Sequence, residues 1–200
     1  LGARVGWRQV VPDDITEIGR ALGLAASRAQ LCVVCGGLGP TVDDKTSEAA
    51  AAFLGESVVE NDEAMAQLGA RQARSGRMLN ELDTKQAMLP ASASVLENLS
   101  GTAPAFSFSA GECRFYCFPG VPREFKSLCE RWFLPELRAG IESVPQVATW
   151  KFFGLTESQL ASRVGQLRTE GIELHYRPHF PEIHLWVQAS NADRLQEFEL

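Results

Sequence analysis

A glycine-rich loop between an apolar strand and a helix constrains the fold of this chain more than any other sequence feature. Gln30 to Cys35 is a short apolar run of the kind found in strands buried on both faces, and Gly36 to Gly39 follows it directly. A helix is predicted from Thr46 to Leu54, where Gly55 ends it. Because a strand, a loop and a helix in this order favour parallel pairing, the chain is expected to form an α/β domain.

The loop carries residue types that bind phosphate and metal. Its glycines allow the backbone to approach a ligand, and N–H groups near a helix N-terminus favour anions. It lacks both the Gly-Lys-Ser/Thr of a Walker A loop and the third glycine of a Rossmann fingerprint, so the glycines alone are a weak signal. Asp43 and Asp44 add hard oxygen donors that suit Mg²⁺ or Mn²⁺, and a cation would offset their repulsion of a phosphate. Alternatively, Asp44 only caps the following helix and Asp43 is solvated.

Strands and helices are predicted to alternate around the loop. Arg4 to Val11 is predicted as a strand, and Asp13 or Asp14 as the cap of a helix with Ile15, Ile18, Leu22 and Ala25 on one face. The other elements predicted in this region are a helix from Asn61 to Arg74, a hairpin of Phe106 to Ser109 with Cys113 to Phe118, and a helix from Arg123 to Phe133 that Pro122 begins.

The pattern changes after Gly140 to Pro145, which is interpreted as a linker. A strand from Ala148 to Phe153 and a helix from Glu157 to Thr169 are followed by two further strands. Ile183 to Gln188 alternates between apolar and polar residues, as a half-exposed antiparallel strand does. The three histidines lie in this segment without the spacing of a zinc site, which favours surface or strand positions for them.

Composition excludes several classes of protein. The net charge of −6 disfavours a nucleic-acid partner, and no apolar run reaches the ~20 residues that span a bilayer. The five cysteines are irregularly spaced, which disfavours a secreted disulfide framework. Cys32 and Cys35 form a C-x-x-C, but on a strand they point to opposite faces, so buried, reduced thiols are expected rather than a metal or redox pair. These features predict a cytoplasmic protein without a membrane partner.

Four runs of sequence resemble the CinA family. Gly36-Gly37-Leu38-Gly39-Pro40-Thr41-Val42-Asp43-Asp44-Lys45-Thr46 resembles the GGLGPTxDDxT signature of the CinA amino-terminal module and is similar to the loop of the Mog and MoaB molybdopterin-binding proteins. The other three matching runs are Lys85-Gln86-Ala87 with Pro90, Asn98 and Gly101 to Pro104; Pro119-Gly120-Val121-Pro122 with Glu124; and Phe153 to Ser158.

The resemblance implies a fold and a domain organisation. Residues 1–143 are expected to form a three-layer α/β domain of the molybdopterin-binding type, with a mostly parallel sheet and without its first strand. Residues 147–200 are expected to form a small α+β domain like the CinA middle domain. In the family an opening strand and a Gly-Asp-Glu-Leu turn precede Leu1, and a carboxy-terminal deamidase module follows; neither is present in this sequence.

The resemblance also implies an activity, the metal-dependent hydrolysis of a nucleotide-sugar diphosphate, with ADP-ribose as the leading substrate. Asp43 and Asp44 would be catalytic and would hold Mg²⁺, Mn²⁺ or Co²⁺, and Asp44 matches the functional aspartate of the Mog-type loop. A homodimer is expected, with Phe152, Leu185 and Trp186 on partly exposed strands. The residues expected to bind the ligand are Gly36, Gly37, Gly39, Thr41, Thr46, Lys85, Gln86, Gly120 and Glu124.

Two alternatives stay open at this point. One is a pyrophosphatase or adenylyl-transferring enzyme that acts on flavin or pterin nucleotides. The other is a non-catalytic protein that binds molybdopterin-like or nucleotide ligands. The sequence does not choose between these substrates, because no residue in its motifs is known to recognise a base.

Overall fold

A computed structural model describes residues 3–76, 78–141, 145–167 and 169–196. The chain packs as two compact units, one of Val5–Leu137 and the other of Leu1–Arg4 with Arg138–Leu200. The predicted linker lies partly outside the described residues, so the domain boundary near residue 143 stays a prediction. Within the described ranges, no helix combines the length and the apolar character that crossing a bilayer requires.

The larger unit alternates helices and short strands. Its helices are α1 (Ile15–Ala26), α2 (Thr46–Leu54), α3 (Asp62–Ser75), α4 (Glu81–Thr84), α5 (Pro122–Leu128) and α6 (Leu134–Ala139). Its strands are β1 (Leu31–Cys35), β2 (Val58–Glu60), β3 (Met88–Pro90), β4 (Ser94–Leu96), β5 (Ala105–Ala110) and β6 (Cys113–Phe118). A π-helical turn, Cys129–Phe133, joins α5 to α6 where one continuous helix was predicted.

The helix ends follow the residues that the sequence offers as caps. Asp14 accepts hydrogen bonds from the N–H groups of Thr16 and Glu17 at the start of α1. Asn61 caps α3 through the N–H of Ala64. Gly55 and Gly76 end α2 and α3 in the left-handed conformation, with φ of 69° at each. The predicted positions of these three helices are confirmed.

The central sheet is mixed rather than mostly parallel. Its strand order is β1-β6-β5-β4, in which β1 pairs with β6 in parallel and the other two pairs are antiparallel. The α/β class is confirmed, but the extent of parallel pairing was overestimated. The reason is local: β5 and β6 are joined by a tight turn at Gly111, and a tight turn can only connect antiparallel neighbours.

Helices cover the two faces of this sheet. On one face, Phe108 and Phe115 stack with ring centroids 4.7 Å apart and pack in a cluster with the apolar sides of α1, α2 and α3. On the other, Tyr116 and Phe118 pack in a cluster with Leu128 of α5. The expected three layers are therefore present in this unit.

Two predictions about strands are wrong. Arg4 to Val11 forms no strand and is exposed except at Val11, and among the described residues no segment pairs with the free edge of β1. As an edge strand, β1 is half-buried rather than buried on both faces. The sequence also did not reveal the two-stranded antiparallel sheet of β2 and β3, because each strand has only three residues.

The cysteines follow the expectation only in part. Cys113 and Cys117 are buried, whereas Cys35 is exposed, so the expectation of a buried thiol is wrong for Cys35. Burial, with a smaller contribution from Cys113, raises the pKa of Cys32 to about 11. This thiol therefore stays protonated at neutral pH, which does not suit a metal ligand or a redox nucleophile.

The smaller unit is a three-stranded antiparallel sheet with helices. Its elements are β7 (Gln146–Phe153), α7 (Glu157–Val164), β8 (Ile172–His179), β9 (Glu182–Ala189) and α8 (Ala192–Gln196), and β9 lies in the middle of the sheet. Thr156 and Gln159 form a capping box at the start of α7, which ends at Val164 rather than at the predicted Thr169. Leu185 is completely buried, so its assignment to an exposed dimer surface is wrong; Trp186, which points to the other face, is 37% exposed.

Candidate functional site at the glycine-rich loop

The loop after β1 is closed by Thr46. Its hydroxyl donates a hydrogen bond to the carbonyl of Gly36 at 2.8 Å, and its backbone N–H donates to the carbonyl of Gly37 at 3.1 Å. Gly36 and Gly37 have φ of 100° and 70°, and a Cβ at position 37 would collide with the Thr46 hydroxyl. Glycine is therefore required at position 37 both by the backbone angle and by the available space.

Asp44 folds back into the loop instead of capping α2. One oxygen of its carboxylate accepts hydrogen bonds from the N–H and the hydroxyl of Thr41, at 2.9 and 2.5 Å. The residue at the helix-cap position is Lys45, whose side chain makes no capping hydrogen bond. A Cβ at Gly39 would lie 2.5 Å from the Asp44 carboxylate, so glycine at this position leaves room for the carboxylate. The alternative in which Asp44 is only a helix cap is wrong.

The surroundings of Asp44 keep it ionised. Partial burial raises its pKa, but hydrogen bonds from the Thr41 hydroxyl and from the N–H groups of Gly39 and Thr41, together with the Lys85 ammonium, outweigh that effect. The net result is a pKa below the ordinary value of 3.8. At neutral pH this side chain is thus a fixed negative charge rather than a proton donor.

Lys85 connects a distant segment to the loop. Its ammonium donates hydrogen bonds to the carbonyl of Thr41 and, at 2.9 Å, to the carbonyl of Asp44. It also lies 3.9 Å from Glu48, which is 3.1 Å from the Lys45 ammonium. Gln86 makes a weaker contact from its amide to the carbonyl of Leu38, at 3.4 Å. A positive charge is thereby held against the loop carbonyls.

Local structure places Lys85 and Gln86 there. Asn80 and Asp83 form a capping box at the start of α4, and a 3₁₀ turn over Lys85–Ala87 follows it. Ala87 is completely buried, which anchors the turn in the core.

A pocket of about 210 Å³ opens beside this loop. It brings together the carboxylates of Asp44 and Glu48 and the ammonium of Lys85. Glu48 was not among the predicted site residues; it lies in the first turn of α2, directly after the loop. The complete lining is Gly37, Leu38, Gly39, Asp44, Ser47, Glu48, Val58, Lys85, Gln86 and Met88.

Other predicted site residues lie outside this pocket. Asp43 is exposed and is not part of the lining. Gly120 approaches the loop from β6, since a Cβ there would lie 3.5 Å from the Cα of Gly36. Glu124 accepts a hydrogen bond from the buried Asn98 amide at 2.7 Å and packs so closely on Gly101 that a Cβ there would collide with it. The ligand-binding roles predicted for Gly120 and Glu124 stay predictions.

The topology of the sheet also favours binding at this end. The parallel strands β1 and β6 end together, and the N–H of Gly36 donates to the carbonyl of Phe118 at 2.9 Å. The helix after β1, α2, packs on one face of the sheet, and the helix after β6, α5, packs on the other. Open α/β sheets bind ligands at the crevice where the chain reverses sides in this way.

The pocket supplies only part of the coordination shell that a cation of the Mg²⁺ type needs, so a bound substrate would have to supply further oxygen ligands. Within the described ranges, no group of three or more His, Cys, Asp or Glu side chains is arranged to hold a metal ion. Asp44 and Glu48 nevertheless supply two carboxylates to one pocket. Mg²⁺ typically takes one or two carboxylates and completes its shell with water and substrate phosphates, which is compatible with this arrangement.

Comparison with known proteins agrees with the architecture. Residues 1–139 match a family described as "Probable molybdopterin binding domain". A CinA-like protein of Anaeromyxobacter dehalogenans is 36% identical, and the match covers 98% of this chain and 51% of that protein. A CinA-like protein of a Geobacter species is 38% identical, and the match covers 96% of this chain and 47% of that protein. The chain therefore spans about half the length of these curated relatives.

A solved structure shows a similar fold. The protein CinA of Thermoplasma acidophilum, described as having unknown function, is 33% identical and superposes with a TM-score of 0.57 over 62% of this chain and 72% of its own. Together with the family match over residues 1–139, this likeness identifies the larger unit. The chain belongs to the family of probable molybdopterin binding domains and is similar to CinA-like proteins.

Proposed function

We propose that the pocket at the glycine-rich loop hydrolyses a nucleotide-sugar diphosphate in the presence of a divalent metal ion, with ADP-ribose as the leading substrate. The observation that carries the proposal is the combination of the Lys85 ammonium, the carboxylates of Asp44 and Glu48, and the backbone of Gly37 and Gly39 in one pocket. A diphosphate needs positive charge and N–H donors, and a bound cation needs hard anionic oxygens. Lys85 supplies the positive charge, and Asp44 and Glu48 supply the anionic oxygens, in the lining of one pocket.

The residues divide into two roles in this proposal. Gly37 and Gly39 let the diphosphate approach the backbone closely, and Lys85 offsets part of its negative charge. Asp44 and Glu48 would hold the cation, which supplies charge neutralisation at the bridging oxygen. Asp44 is suited to this role because its lowered pKa keeps it anionic. Thr41 positions Asp44 through two hydrogen bonds and needs no contact with the ligand.

The apolar part of the pocket supports an organic substrate rather than free pyrophosphate. Leu38, Val58 and Met88 line it next to the charged groups. Ligand sites typically combine an apolar wall with a few placed polar groups. Such a wall is suited to the sugar or the base on either side of a diphosphate.

The test is the release of AMP from ADP-ribose, with and without Mg²⁺, Mn²⁺ or Co²⁺. FAD and pterin nucleotides are assayed in parallel, and the substrate with the highest kcat/KM decides between the hydrolase proposals. In protein that is shown to be folded, metal-independent release would contradict the role of the metal ion, and absent release would exclude hydrolysis at this pocket.

A second candidate is a non-catalytic binder of molybdopterin-like or nucleotide ligands. The description of the matching family favours it. Saturable binding of such a ligand by calorimetry, without turnover in the presence of any of the three metals, would support this candidate against the first.

A further inference from the structure

We infer that a second pocket, at the opposite end of the central sheet from the glycine-rich loop, binds a phosphate-type oxyanion. β6 runs from Cys113 at this end to Phe118, whose carbonyl contacts Gly36 of the glycine-rich loop. Arg114 and Phe118 are four residues apart on β6, which separates the two sites by ~13 Å. The second pocket has a volume of about 230 Å³ and is lined by Ser92, Ser94, Ser107, Phe108, Ser109 and Arg114. We call it the serine–arginine pocket.

Strand register brings most of these side chains onto one face of the sheet. Ser94 of β4 lies opposite Ser107 of β5, and Ser109 lies opposite Arg114 of β6. Residues directly opposite each other, and residues two apart on a strand, point to the same face. The serines and the guanidinium therefore converge from three adjacent strands, with Ser92 added from the segment before β4.

The donors of Arg114 are only partly used by the protein. Its Nη2 lies 3.4 Å from the hydroxyl of Ser107, which is long for a hydrogen bond. Ser107 itself is buried, with only 1% of its surface exposed. Its Nε lies 3.5 Å from the Glu136 carboxylate and, in the described part of the chain, is a buried nitrogen without a hydrogen-bond partner. Arg114 lines the pocket with a side chain that is 43% exposed, so its guanidinium can take a further acceptor there.

The chemistry of the lining selects the class of ligand. A guanidinium presents a rigid fork of donors that matches phosphate, and each serine hydroxyl can donate one more hydrogen bond. Hydroxyls that converge from several strands suit the spread acceptors of a tetrahedral oxyanion better than a planar carboxylate. Phe108 is the one apolar residue in the lining, which favours inorganic phosphate or the phosphate end of a monoester over a large organic ligand.

Glu136 lowers the expected affinity for an anion, and its removal offers a second test of the proposal. Its carboxylate accepts a hydrogen bond from the Tyr116 hydroxyl and pairs with Arg114, so it offsets part of the positive charge that an anion would meet. Removing this carboxylate should strengthen anion binding, whereas removing the guanidinium should weaken it.

The experiment is a titration of the ¹⁵N-labelled protein with sodium phosphate at pH 7 and constant ionic strength, followed through assigned amide signals. We expect saturable shifts at Ser94, Ser107, Ser109 and Arg114. The affinity should fall about ten- to a hundredfold in Arg114→Gln and rise in Glu136→Gln. A parallel titration with glycerol phosphate distinguishes the source of the phosphate, since tighter binding of the ester indicates an organic ligand.

Two controls keep the result interpretable. Arg131→Gln removes an arginine that pairs with Glu97 outside the serine–arginine pocket, and it should bind phosphate as the parent protein does. If Arg114→Gln does not fold, Ser94→Ala, which changes an exposed residue, should still weaken binding several-fold. Unchanged binding in a folded Arg114→Gln variant, or shifts confined to the glycine-rich loop, would overturn the proposal without affecting the proposed hydrolysis.

Discussion

The carboxylate of Asp44 accepts both the backbone N–H and the hydroxyl of Thr41, at 2.9 and 2.5 Å, and the same carboxylate lines the pocket beside Lys85. One side chain thus fixes the shape of the loop and supplies its negative charge. Variants at this position can separate the two contributions, because asparagine retains an acceptor oxygen for Thr41 but carries no charge.

We expect Asp44→Asn to lose metal-dependent hydrolysis while the protein stays folded. Removal of one preorganised electrostatic group typically lowers the rate by ~10²–10³. AMP release and the melting temperature are measured together, with Glu63→Gln, an exposed acid in the first turn of α3, as the matched control. Unchanged turnover in Asp44→Asn would leave Asp44 with a loop-closing role only.

Glu48→Gln is expected to lower activity more than Asp43→Asn does. Glu48 lines the pocket, whereas Asp43 is exposed outside it. The metal concentration at half-maximal activity is the informative measurement, because loss of a metal ligand raises it. If Asp43→Asn raises it and Glu48→Gln does not, the cation is held by the adjacent Asp43–Asp44 pair that the sequence suggested.

The difference between the predicted pair Asp43 and Asp44 and the pair Asp44 and Glu48 that lines the pocket shows how far the sequence could predict the site. The signature around Gly36 to Thr46 located the loop, and helix capping located α2 and α3, because these features depend on residues close together in the chain. The contacts of Lys85 with Thr41 and Asp44 join segments more than forty residues apart, and the resemblance alone pointed to them. The direction in which Asp44 and Asp43 point depends on the folded path of the loop, which residue type does not determine.

The same distinction between local and long-range interactions explains the errors in the predicted fold. Arg4 to Val11 was predicted as a strand, but a strand forms only where a partner provides hydrogen bonds. The central sheet was expected to be mostly parallel because its first elements alternate between strand and helix. Its actual order also depends on the meander of β4, β5 and β6, which pairs neighbours in sequence in antiparallel fashion.

Gly37→Ala should be more disruptive than Gly36→Ala. Both glycines have positive φ, which strains any L-residue, but only at position 37 would a Cβ also collide with the Thr46 hydroxyl. Backbone strain of this kind costs ~1–3 kcal/mol, so both variants should melt earlier than the parent, and Gly37→Ala should melt earliest. Calorimetric melting of both variants tests this order. Equal melting temperatures would mean that Thr46 moves without cost and does not close the loop.

The pH dependence of Asp44 has a defined direction. Because its pKa is lowered below 3.8, its ionised form contributes stability above that pH, and the contribution is lost as the pH falls through the folded-state value. Thr41→Val removes a hydroxyl donor, so the pKa of Asp44 should rise towards its ordinary value. Titration of the ¹³C-labelled Asp44 carboxyl by NMR measures its pKa directly in the parent protein and in Thr41→Val. A midpoint in the parent protein at or above 3.8, or no upward change in Thr41→Val, would contradict the hydrogen-bond pattern.

Glu124→Ala should lower stability more than ligand affinity. The Glu124 carboxylate accepts the amide of Asn98, which is 8% exposed, and this contact joins the segment around Gly101 to the start of α5. Loss of one partner of a buried hydrogen bond costs ~1–3 kcal/mol, which corresponds to a decrease of about 2–10 °C in the melting temperature of a chain this size. Glu130→Ala is the matched control, because Glu130 is exposed and pairs only loosely with Lys126, at 4.0 Å. Nucleotide binding measured below the melting temperature should be nearly unchanged in Glu124→Ala. A large loss of affinity with little loss of stability would instead assign Glu124 the ligand contact that the sequence motif suggested.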